Sequence, residues 1–182
     1  MTLEALAMNG RSQVCRNMAA GIGDRIAEVR KPSLRDSLGS FHNIPHRMEH
    51  VAFIHGVQYI NDSGATKPNI TWFSLQSIPG PVIWIAGGMD KANDYTMLRS
   101  QVNGKVTSLI CTGLDNLNLI SSFAGTVPVI EEAASMEEAV MLAYKSGKKG
   151  DTVLLSPACP SFDQFSNFEE RGLLFMNIVR SL

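Results

Sequence analysis

The chain has 182 residues, 45% hydrophobic and 18% charged. That is ordinary globular composition, long enough to bury a core without disulfides and short enough for one domain with an appendage. Sixteen basic against seventeen acidic side chains give a net charge of −1, which gives no sign of the broad basic face that nucleic acid or an anionic membrane would favour and leaves room for a local basic site for a phosphorylated ligand.

Residues 1–41 read as two helices and no strand. Met18, Ala19, Ile22, Ile26 and Val29 recur at helical spacing, and Pro32 opens a second short helix carrying Leu34 and Leu38. Two helices cannot enclose a core, so they must pack on something else. From His50 onward strands and helices alternate. Segments 51–54 and 57–60 are predicted strands joined by His55-Gly56, a hairpin signal. A helix is predicted over 68–77, a buried strand over 82–86, a helix over 94–102, and a strand over 106–111. A helix over 114–123 and a strand over 127–130 follow. Ser135-Met-Glu-Glu138 is a capping box for a helix that ends at Gly147. The last strand is 152–155 and a closing helix spans 168–182, with Phe168, Leu174, Phe175, Ile178 and Val179 as its apolar positions. This alternation predicts an α/β fold: a Rossmann-like, mostly parallel sheet of about six strands, including an N-terminal hairpin, with helices on both faces.

The longest apolar runs, near 81–86 and 152–158, fall well short of the ~20 residues of a membrane helix. Residues 1–6 lack the basic and apolar regions of a leader, so a cytoplasmic protein is expected. Cys15, Cys111 and Cys159 are widely spaced with no C-x-x-C, consistent with reduced thiols and no zinc site. His42, His50 and His55 fit no metal spacing. There is no G-x-x-x-x-G-K-[ST], and Gly21-Ile-Gly23 lacks the third glycine of a dinucleotide loop.

Ligands of open α/β sheets bind at the carboxyl ends of strands, so the segments that follow the strands carry the candidates. They are 61–67 with Asp62 and Thr66, 87–94 with Gly87-Gly88, Asp90 and Lys91, and 156–163 with Ser161. Each has a plainer reading. Ser161 and Ser166 stand three before Gln164 and Glu169 and can cap a helix. Asp62 can form an Asx-turn, Gly87-Gly88 a tight turn, and Asp90 and Lys91 a solvated pair. Arg47 offers a fork for phosphate oxygens, or pairs with Glu49, which its spacing favours. Phe168 reads as a core residue.

Taken in order, His46-Arg-Met-Glu49, Asn61-Asp-Ser-Gly-Ala-Thr66, Gly87-Gly-Met-Asp-Lys91, Leu155-Ser-Pro-Ala-Cys-Pro-Ser-Phe-Asp-Gln-Phe165 and Asn167-Phe-Glu-Glu-Arg-Gly172 resemble the Mur ligase family. The block from Ser156 to Gly172 points to its D-glutamate-adding member rather than to another amino-acid-adding or folylpolyglutamate-type ligase. The resemblance implies a three-domain cytoplasmic enzyme of peptidoglycan synthesis, a monomer using ATP and Mg2+. Such an enzyme activates the carboxylate of UDP-N-acetylmuramoyl-L-alanine as an acyl phosphate, which D-glutamate attacks. On it, residues 44–182 are the amino-acid-binding domain, and 1–43 the helical tail of the central ATP domain. The P-loop then lies in upstream domains of the same polypeptide, and this piece alone is catalytically silent. The resemblance also implies that Thr66, Lys91, Ser161 and Phe168 surround D-glutamate, while Gln13, Arg47 and Asp62 meet the nucleotide. No catalytic residue and no metal ligand is expected in this piece.

The sequence departs from the family pattern at several places. Ser12, Gln13 and Arg16 replace the motif expected near the adenine ring. Gly64 replaces a lysine, Lys67 an asparagine, Ala92 a glycine and Pro160 an alanine. These departures motivate an alternative: a non-catalytic binding or interaction module derived from such a ligase.

Overall fold

Residues 152–155, Thr-Val-Leu-Leu, show no polar alternation, so their strand belongs where both faces of a sheet are covered. The computed structural model, described over residues 44–182, places it there. Six strands lie in the order β1-β2-β6-β3-β4-β5. They are β1 (Glu49–Ile54), β2 (Val57–Asn61), β3 (Val82–Gly87), β4 (Val106–Thr112), β5 (Val129–Ala133) and β6 (Thr152–Leu155). Strands β1 and β2 pair antiparallel, and every other pairing is parallel. The helices are α1 (Pro68–Ser77), α2 (Arg99–Val102, entered through a 3-10 turn at Thr96–Leu98), α3 (Leu117–Phe123), α4 (Met136–Ser146) and α5 (Phe168–Arg180). Residues 44–182 form one unit and residues 1–43 another; the two helices expected before residue 42 lie outside the described residues.

The period-2 geometry of β3 sends Trp84 to one face and Ile83 and Ile85 to the other. On the Trp84 face the core gathers Leu75 of α1, Leu98, Val102 of α2 and Phe123 of α3. On the opposite face it gathers Ala139 and Val140 of α4 and Phe175 and Val179 of α5. Trp84 stacks edge-to-face on Phe123 at 5.4 Å between ring centroids. Its indole N–H donates to the Ser156 carbonyl at 2.7 Å, so this large buried side chain leaves no polar atom unpaired.

Local chemistry sets the boundaries. Pro68 opens α1 where a missing N–H costs nothing. His55 and Gly56 take φ of 50° and 85°, the signs of a type I′ hairpin turn. In the capping box the Ser135 hydroxyl accepts from Glu138 N at 3.2 Å, and the Glu138 carboxylate accepts from Ala134 N at 2.8 Å. Three expectations shift. The helix expected from 94 starts later because the Asp94 carboxylate turns the chain by accepting from Thr96 N. The helix expected from 114 starts at Leu117, whose N–H donates to Asp115. The strand expected over 127–130 runs Val129–Ala133, because Val127 N donates to the Phe123 carbonyl and its side chain closes the core beneath α3.

From β3 the chain moves outward to β4 and β5, then returns through α4 to place β6 on the other flank of β3. The loops after β3 and β6 therefore diverge at a switch point, where open α/β sheets hold ligands. Gly87 makes this junction possible. Its φ is 117°, and a Cβ there would run into the Thr112 carbonyl of β4. Gly87→Ala is expected to cost more than about 3 kcal/mol, read as loss of a cooperative thermal transition by circular dichroism.

Candidate functional site

The loop after β2 is fixed by one carboxylate. Asp62 is 1% exposed. Its Oδ2 accepts from the Ser74 hydroxyl at 2.5 Å and the Ser156 hydroxyl at 2.9 Å, and its Oδ1 from Met48 N at 3.2 Å. Burial pushes this carboxyl above its ordinary value, against the opposing pull of those three donors and of the Arg47 charge. The loop that follows turns back so that Gly64 N donates to the His46 carbonyl at 2.9 Å.

Thr66 at the end of that loop lines a cleft of about 300 Å³ together with Ser161, Phe162, Asn167 and Phe168. The structure thus brings together three of the four residues expected around the amino acid. Neither serine caps a helix through its side chain. The N-cap of α5 is Asn167, whose Oδ1 accepts from Glu170 N at 2.7 Å. The Ser161 carbonyl accepts from Gln164 and Phe165 N–H groups, which turns the loop and leaves the side chain out of the cap. The Ser161 hydroxyl is buried, in a residue 2% exposed, and has no hydrogen-bond partner among the described residues. Phe168 is half-buried and meets His46 edge-to-face at 6.1 Å, so it forms a wall of the cleft rather than part of the main core.

Lys91, the fourth residue, is exposed on the loop after β3 and does not line the cleft. Its loop is nevertheless tied to the Ser161 loop, since Met89 N donates to the Pro160 carbonyl at 2.9 Å. Arg47 is exposed and lies over Gly64, where an added Cβ would come within 2.9 Å of Arg47 Nε. The ion pair its spacing favoured gives way to another arrangement: Glu49 Oε2 accepts from His46 N at 2.9 Å and Asn61 Nδ2 at 3.2 Å. Gln13 lies outside the described residues.

One residue of the quoted motifs was given no role by the sequence reading. Arg171, 2% exposed, donates from Nε to the Ser63 hydroxyl at 3.0 Å, and from Nη2 to the carbonyls of Ser63 at 3.0 Å and Cys159 at 3.2 Å. Desolvation pushes its guanidinium down to about 10. It joins the loops after β2 and β6 from beneath the cleft. The signal was its position: Arg171 falls on the inward stripe of α5 with Gly172, Phe175 and Val179, where a cation has to be paired or hydrogen-bonded.

Two measurements test this geometry. A buried hydroxyl without a partner costs about 1–3 kcal/mol, so Ser161→Ala is expected to raise stability by about 1 kcal/mol in urea unfolding. A carboxyl raised by folding contributes stability that is fully present below its unfolded value and lost as pH rises through its folded value. The stability difference between the parent chain and Asp62→Asn is therefore expected to move in favour of the parent as pH falls from neutral towards about 4.

The chain is similar to proteins of known family. The model of the Mur ligase, glutamate ligase domain, matches residues 46–159. The UDP-N-acetylmuramoylalanine–D-glutamate ligase of Christiangramia forsetii is 44% identical over 182 residues, covering 100% of this chain and 41% of that protein. The protein of the same name from Porphyromonas gingivalis is 47% identical, covering 100% of this chain and 40% of that protein. The chain thus spans about two fifths of the length of these relatives. Among solved structures, UDP-N-acetylmuramate-alanine ligase of Thermotoga maritima superposes with a TM-score of 0.52 at 13% identity, over 82% of this chain and 36% of that one. Folylpolyglutamate synthase of Mycobacterium tuberculosis does so at 0.54 and 12%, over 73% and 32%. At such identities these two speak for the fold alone. The domain match and the whole-chain relatives speak for descent, and on them the chain belongs to the Mur ligase family, carrying its glutamate ligase domain.

Proposed function

We propose that this chain is the amino-acid-binding part of an ATP-dependent ligase that joins D-glutamate to UDP-N-acetylmuramoyl-L-alanine in peptidoglycan precursor synthesis. Residues 1–43 would belong to the tail of an ATP-binding domain whose P-loop lies upstream. The observation that carries the reading is the Ser161 hydroxyl, buried and without a partner among the described residues, in a residue that lines a cleft with Thr66 and Phe168. Such a donor is satisfied by a ligand acceptor, and a carboxylate is the strongest one available. The names of the whole-chain relatives supply the amino acid.

In this reading the hydroxyls of Thr66 and Ser161 donate to one carboxylate of D-glutamate, and Phe168 shields its methylene groups. Lys91 supplies the cation for the second carboxylate from the neighbouring loop. Held in this way, the amine faces the acyl phosphate made elsewhere in the enzyme. It attacks the acyl carbon, the C–N bond forms as the C–O bond to phosphate breaks, and a proton leaves the nitrogen. Arg47, exposed beside Gly64, offers its fork to phosphate oxygens. Among the described residues Asp62 Oδ1 accepts from Met48 N, and it would meet a ribose hydroxyl only if the residues that bury it move. Gln13 keeps an amide for the adenine ring. The described residues contain no group of three His, Cys, Asp or Glu side chains able to hold a metal ion, so Mg2+ is assigned no ligand here. No helix among them is long and apolar enough to cross a membrane.

The test is an NMR titration of the 182-residue chain with millimolar D-glutamate and, separately, L-glutamate. D-glutamate is expected to shift the amides of Thr66, Ser161 and Phe168, and Ser161→Ala to weaken that response about tenfold. No response, or an equal response to L-glutamate, overturns the assignment.

A further inference from the structure

Lys91 and Ser161 stand on different loops, 70 positions apart in the chain by their numbers, yet a two-carboxylate ligand needs them at a fixed separation. The loop bearing Lys91 also resists its own shape: Ala92 sits at φ 56°, a conformation that costs a residue with a side chain about 1–2 kcal/mol. Something has to hold it.

The restraint centres on one phenol. Tyr95 is 2% exposed, and its ring packs on Phe123 at 6.0 Å in the core below. Its hydroxyl donates to Asp90 Oδ2 at 3.0 Å, next to Lys91. The same oxygen lies 3.1 Å from Cys159 Sγ, in the loop that leads to Ser161. A phenol has one proton. With that proton on Asp90, the thiol is the donor in the second contact. Burial pushes both the Tyr95 phenol and the Cys159 thiol up from their ordinary values, which keeps both protons in place. Asn93 closes the bridge, its amide donating to the Ala158 carbonyl at 3.3 Å and to Cys159 Sγ at 3.4 Å. Its backbone N–H donates to Asp90 Oδ1 at 2.8 Å. Asn118 of α3 holds Asp90 Oδ2 from outside at 2.9 Å.

We propose that Tyr95 is a positioning residue for amino-acid binding: its hydroxyl couples the Lys91 loop to the Ser161 loop, so that cation and hydroxyl are presented as one rigid pair. This rests on the D-glutamate reading of the cleft. Tyr95 touches no ligand and acts through Asp90 and Cys159. A displacement of about 1 Å at such a pair is enough to lose a large part of binding or rate.

Tyr95→Phe removes the oxygen and keeps the ring. In the ligand-free 182-residue chain, amide hydrogen exchange is expected to rise in residues 88–94 and 159–163 together, with β4 unchanged. D-glutamate affinity is expected to fall about tenfold, and Tyr95→Phe to add nothing in a Lys91→Met background. Loosening of one loop alone, unchanged exchange, or an effect of Tyr95→Phe as large in Lys91→Met as in the parent overturns the proposal. If the parent chain binds no D-glutamate, the functional reading fails, and the exchange data still decide the coupling. Should Tyr95→Phe lose its fold, Cys159→Ala and Cys159→Ser take its place. Alanine is expected to loosen both loops and serine, which keeps a donor, to restore them; equal behaviour of the two overturns the proposal.

Discussion

A carboxylate removed from water has to be surrounded by donors, and the donors around Asp62 come from three separate parts of the chain. Ser74 belongs to α1, Ser156 to the loop after β6, and Met48 to the segment that leads into β1. Ser156 also bonds to Thr71 of α1 at 3.0 Å, and its carbonyl receives the Trp84 indole. One buried charge therefore registers the first strand pair, the first helix, the central strand and the last strand against one another at the end of the sheet where ligands bind. The sheet by itself fixes distances along the strands. This junction fixes where the loops leave them.

Arg171 does the corresponding work one layer down. It faces carbonyls and a hydroxyl rather than a carboxylate partner, so its charge is dispersed over the Ser63 and Cys159 segments instead of being cancelled at one point. A buried cation solvated in this way is costly to bury and costly to disturb, because each acceptor it loses leaves a charge less solvated. Asp62 and Arg171 thus hold the rim of the cleft from the two faces of the sheet, α1 on one side and α5 on the other. Ser161 Oγ and Arg171 Nη1 are both buried without a hydrogen-bond partner among the described residues.

The regular part of the fold was legible wherever the deciding forces were local. Pro68 and the following residues define α1 to the residue, the continuous apolar run defines β6, and Ser135 with Glu138 defines the start of α4. The reading slipped where an apolar side chain serves the core without joining the sheet, as Val127 does below α3. Strand ends named the loops that carry Thr66, Lys91 and Ser161. Spacing alone left Ser161 open between a helix cap and a ligand contact, and the placement of Asn167 at the start of α5 separates the two uses. The contacts that tie these loops together were out of reach. Tyr95 and Cys159 are 64 positions apart and Arg171 and Ser63 are 108 apart, and no local periodicity encodes a pairing that only the tertiary fold creates.

The close approach at Gly64 bears on how this surface can change over time. Arg47 Nε and the His46 carbonyl both lie 2.9 Å from where a Cβ at this position would stand. A side chain at 64 and the present course of Arg47 therefore compete for one space. Arg47 is exposed and can swing away, but the His46 carbonyl is backbone and is held by the Gly64 N–H. A side chain at 64 therefore needs the loop between β2 and α1 to shift, and not the arginine alone. The lasting limit on what this position can become is set by the path of the main chain.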